Sequence, residues 1–146
     1  MENGPGRKLF TAGELLTLAG VVLAVMSAAN TWANLPPKTT SMVAATYVAT
    51  YQRNAYLTNG YGLTLGPISV GWIVVLAALA AGSLLLFKPA RDQRRRFFYL
   101  QLCAGLLILA LAIRYLSLYP GVIMAAIGAA ALLGGAVLQY GREPAR

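Results

Sequence analysis

The chain has 146 residues, of which 58% are hydrophobic and only 11% charged, with a mean hydropathy of +0.64. A water-soluble domain carries about a quarter charged residues, so this composition excludes an ordinary soluble fold and points to a membrane. Twelve Lys and Arg against four Asp and Glu give +8, an excess that in a membrane protein reports orientation first and makes nucleic acid the weaker partner.

His is absent and Cys occurs once. Most metal sites, the usual general base and an internal disulfide are thereby removed. No cofactor is expected, and an enzyme is disfavoured because positioned acids, bases and nucleophiles are so few.

A helix crossing the bilayer needs about 20 apolar residues. Four runs qualify: Ala12 to Asn34, Gly66 to Phe87, Phe97 to Ser117 and Pro120 to Tyr140. The expected fold is therefore an all-α membrane protein, one four-helix bundle filling the whole chain. Ahead of the first run, Arg7 and Lys8 followed by Leu15 to Met26 and Ser27-Ala28-Ala29 imitate a secretory signal peptide. The apolar character continues through Trp32, which favours a retained anchor.

Within the first span Glu14 is an acid about one turn inside the membrane edge. An ion pair with Arg94, Arg95 or Arg96 is one role for it. A carboxylate in the first turn of a helix is the commoner reading. Trp32 should anchor the far end of this span at the interface.

The 31-residue loop from Leu35 to Leu65 follows. It carries Tyr47, Tyr51, Tyr56 and Tyr61 with many threonines and almost no charge. Val43, Tyr47 and Tyr51 are spaced for an amphipathic surface helix, the preferred reading. Alternation over Thr46 to Tyr51 and the Asn59-Gly60 pair offer a β hairpin instead. The four tyrosines are candidates for a docking surface toward another subunit, or for a lid over the bundle.

Gly66-Pro67 and Pro120-Gly121 place prolines where helices begin, and Lys88-Pro89 ends the second span. Ala78 and Gly82 in the second span, and Ala130, Ala131, Gly134 and Gly135 in the fourth, lie four apart and are candidate helix-packing positions. The second and fourth spans are expected to be the tightly packed ones.

Arg91, Arg94, Arg95 and Arg96 form a basic loop suited to lipid headgroups, and Arg114 should snorkel at the opposite edge beside Tyr115. Nine basic residues fall on the side of this loop and both termini, against three on the other, so that side is expected to be cytoplasmic. Cys103 has no neighbour in sequence that would activate it and reads as a small apolar filler. Only Leu118 and Tyr119 separate the third and fourth spans, which requires a tight antiparallel hairpin.

The layout resembles those of claudin-like and tetraspanin-like proteins. The paired cysteines of their outer loops are missing here, so no functional residue transfers.

Three functions are compatible with these features. The first is a non-catalytic accessory or scaffold subunit of a larger bacterial inner-membrane complex, with membrane lipid and other subunits as partners. The second is a small homo-oligomeric channel or transporter for an anion or small solute. The third is a binder of lipid or apolar ligand between the second and fourth spans.

Overall fold

The computed structural model describes residues 11–35, 39–44, 47–52, 56–87 and 93–140, with side chains described outside 34–56. It is mostly helical. Among the described residues there are four α-helices: α1 (Ala12–Ala29), α2 (Val70–Ser83, continued by a 3-10 turn over Leu84–Leu86), α3 (Arg94–Arg114) and α4 (Pro120–Tyr140). By length and composition, α1, α3 and α4 are each able to cross a membrane. The apolar helical stretch Val70–Leu86 is shorter. It rises about 27 Å, against about 30 Å for a hydrocarbon core.

The helices pack in the ring α1–α2–α3–α4, with α4 closing against α1. The interior is built largely from small residues, among them Ala24, Ala78, Ala81, Ala125, Ala129 and Ala136, all fully buried. Large apolar side chains point outward: Leu15, Val22, Leu76, Leu79, Ile113, Ile127 and Val137 are all exposed. A protein folded by water does the reverse. Close backbone approach inside and Leu, Ile and Val outside is the arrangement that a lipid solvent rewards.

The first helix stops five residues short of the expected span. Asn30 leaves helical geometry, its backbone N–H bonding Ser27 O and its Nδ2 donating to Met26 O at 2.9 Å. A hydropathy window does not see such a cap. The second helix likewise begins at Val70 instead of Gly66. Gly66-Pro67 is the turn of a short hairpin, β5 (Thr64–Leu65) against β6 (Ile68–Ser69), with Gly66 at φ 64. A glycine with positive φ leading a two-residue turn is what a tight hairpin demands, so here the pair makes a turn and opens no helix. Ser69 caps α2 through its hydroxyl. Pro120 does open α4, and residues 115–119 form the hairpin between α3 and α4.

The loop between α1 and β5 is β structure, which replaces the expected surface helix. Strand β1 (Thr31–Leu35) pairs with β4 (Tyr56–Asn59), and β2 (Thr39–Ala44) pairs with β3 (Tyr47–Gln52), both antiparallel. From Ala33↔Thr58 to Ala44↔Tyr47 the paired residue numbers keep one constant sum, so the two short sheets share one register; together they are termed the ribbon. β-branched and aromatic residues at alternating positions favour this over a helix. Asn59-Gly60 is not the tip of that ribbon. Asn59 Oδ1 accepts from Gly62 N–H at 3.1 Å and turns the chain toward α2.

Candidate functional site

The ribbon is fixed to the bundle at one end through the orphan backbone groups of the helices. Three of the last four carbonyls of α1 are taken by it or by the cap: Met26 O by Asn30, Ser27 O by the Trp32 indole N–H at 2.7 Å, and Ala28 O by Gly60 N–H at 3.0 Å. Gly60 O then accepts from Gly71 N–H at 2.7 Å, and Leu63 O accepts from Val70 N–H at 2.8 Å, which serves the start of α2. Helix ends leave these groups without intrahelical partners, and these bonds supply them. Gly60 can bridge the two helices because it has no side chain; a Cβ there would meet the Ala28 and Gly71 backbone at 3.0 and 3.3 Å.

Trp32 is fully buried and does not face the interface as expected. Its ring lies edge-on to Tyr115, 6.1 Å between centroids, and over Gly121, which has no room for a Cβ. Ser117 Oγ donates to Trp32 O. Among the four tyrosines, Tyr61 is exposed and stacks edge-on with the exposed Trp72 at 5.6 Å. Tyr47 and Tyr51 lie on β3 and Tyr56 on β4, across from Ala44, Thr40 and Leu35. The structure thus brings Tyr61 to the bundle and places the other three along the ribbon.

The opposite, basic end holds a feature that sequence reading misses. Thr17 of α1 and Gln101 of α3 are fully buried where the helices meet. Gln101 Nε2 donates to Thr17 Oγ1 at 2.7 Å and to Leu132 O at 3.1 Å. Gln139 Nε2 donates to the same Thr17 oxygen at 2.8 Å, and Arg94 donates to Gln139 O at 3.2 Å. A polar chain therefore runs from the basic surface into the bundle. Gln101 Oε1, at its inner end, is buried and has no partner among the described residues.

Thr17 reaches this point because Gly135 stands opposite, where a Cβ would collide with its hydroxyl. Gly13, Thr17, Gly20, Ala24 and Ser27 on α1 face Gly121, Ala125, Gly128, Leu132 and Gly135 on α4, both buried in steps of four and three. This is a heptad seam filled mostly with small residues. A Cβ at Gly20 would lie 2.8 Å from Gly128 O.

Of the expected packing residues, Ala78 and Gly135 are buried, Gly82 touches Val21, and Gly134 touches Leu16. Ala131 is half-buried and Ala130 is exposed. The tight partner of α4 is α1, since α2 packs against α1 and α3 instead. Four-residue spacing picks out part of the right face; seven-residue spacing of glycines marks its centre.

Glu14 closes a capping box with Thr11: Thr11 N–H donates to its Oε2 at 2.6 Å, while Glu14 N–H donates to Thr11 Oγ1. Among the described residues it forms no ion pair with Arg94, Arg95 or Arg96. Arg95, Arg96 and Arg114 are exposed, Arg94 is half-buried, and Arg91 lies outside the described residues. Cys103 is exposed on α3. Among the described residues, no group of three His, Cys, Asp or Glu is gathered. The chain matches no family model, no curated protein and no solved structure.

Proposed function

We propose that this protein is a non-catalytic accessory or scaffold subunit of a larger complex in a bacterial cytoplasmic membrane. In this reading all four helices cross the bilayer, and the termini and the basic end face the cytoplasm. The Arg-rich turn then meets anionic headgroups, and the ribbon stands outside.

The observation that carries the proposal is the ribbon. It is anchored at its base by Gly60 and Trp32, while among the described residues β2 and β3 pair only with each other. An isolated two-stranded hairpin is marginal in water, so a ribbon of this length gains stability by lying on another surface. Tyr47 and Tyr51 occupy alternate positions of β3 and Tyr56 continues the ladder, a composition suited to a protein interface.

Purification in mild detergent, followed by native mass spectrometry, tests this. The expected result is a stable companion polypeptide that is lost when residues 39–52 are replaced by a short Gly-Ser link. A protein that runs alone from native membranes contradicts the proposal.

A small homo-oligomeric channel or transporter is the second reading, favoured by the buried Thr17, Gln101 and Gln139 chain, because polar residues inside spans mark pathways. Liposome flux of small anions that falls in an Arg114→Ala variant would support it. Flux that is absent or unchanged would not.

A further inference from the structure

Gln101 Oε1 is an acceptor that the fold has paid to bury and has not paired. Its orientation is set by its neighbours. Leu132 O can only accept, and it sits 3.1 Å from Nε2; exchanging the two amide atoms would place two carbonyl oxygens against each other. Thr17 Oγ1 already receives the N–H groups of Gln101 and Gln139. The unpartnered atom is therefore the carbonyl oxygen, and what it lacks is a donor.

We infer that Gln101 Oε1 binds a single water molecule, held at the inner end of the polar chain and supplied from the basic end past Gln139 and Arg94. The chemistry selects this ligand. With no carboxylate among its described hydrogen-bond partners, the carbonyl gives a cation too few oxygens, and the Arg94 guanidinium bonded to Gln139 O repels one. An anion would face an acceptor. A neutral donor satisfies the oxygen, and the full burial of Gln101 restricts it to the smallest. The terminal torsion of glutamine is soft, so a small rotation admits the molecule. Half-buried Gln139 and Arg94 continue the hydrogen-bonded chain toward the basic end. This inference stands apart from the accessory reading, since it concerns hydration of the bundle and not its partners.

The test is water-edited solid-state NMR on the full chain in lipid nanodiscs, with glutamine labelled in carbon and nitrogen. The chain has four glutamines, at 52, 93, 101 and 139. Gln101→Met identifies the resonance by its loss; if that variant does not fold, Gln52→Met, Gln93→Met and Gln139→Met identify it by elimination. The expected result is that magnetisation from water reaches the Gln101 side-chain carbonyl about as fast as that of Gln139. Transfer to Gln139 without transfer to Gln101 would overturn the inference, as would a Gln101 carbonyl bonded to the Thr17 hydroxyl and dry.

Discussion

Thr17 holds the amide groups of two helices with one oxygen, so its loss is felt twice. In Thr17→Val the methyl replaces the hydroxyl at similar shape, and Gln101 and Gln139 each lose an acceptor. Interhelical bonds of this kind contribute about 0.6 to 2 kcal/mol in membranes. The variant should therefore unfold more readily in detergent by about 1–3 kcal/mol, read as a lower midpoint in a denaturant titration. Glu14 behaves otherwise. Because its role is the capping box, Glu14→Gln keeps the reciprocal bond and should change stability by less than about 1 kcal/mol, whereas Thr11→Ala should cost about 1 kcal/mol. A large loss in Glu14→Gln would restore a charged role for that residue. Neither Thr17 nor Gln101 draws attention in the sequence, since they are single polar residues 84 positions apart. Glu14 is legible as an acid in a first helical turn, whereas its reciprocal bond with Thr11 emerges only in the structure.

The α1–α4 seam admits no added bulk at its glycines. Gly20→Leu forces a side chain onto Gly128 O and the Leu132 backbone, which lie within 3 Å of where its Cβ must be. Backbone cannot yield as a flexible side chain does, so the cost belongs at or above the usual 1–3 kcal/mol for overpacking. Ala130→Leu, on the exposed face of α4, should be nearly silent. Comparing the thermal midpoints of these two variants in one detergent separates seam from surface. The helices themselves are plain in the hydropathy of the chain: Ala12 and Pro120 to Tyr140 are reached without error. Their ends are less so, because Asn30 and Gly66 end or delay a helix through hydrogen bonds and turn geometry while the side chains around them stay apolar. The ribbon is ambiguous in sequence for a related reason. Tyr47 and Tyr51 satisfy a four-residue and a two-residue period together, and pairing across the loop decides between them.

At the scale of the molecule, small residues inside and large apolar ones outside describe a fold whose solvent is hydrocarbon. Arg94, Arg95 and Arg96 lie at one end of it, and in the proposed orientation that end faces the cytoplasm. The direct measurement is labelling with a membrane-impermeant thiol reagent in intact cells, after Cys103→Ser removes the native thiol. Ser41→Cys in the ribbon should react from outside, and Arg95→Cys at the start of α3 should react only after the membrane is opened. Labelling of Arg95→Cys in intact cells, or recovery of the chain in the soluble fraction without detergent, would contradict a four-span protein with its arginines inside.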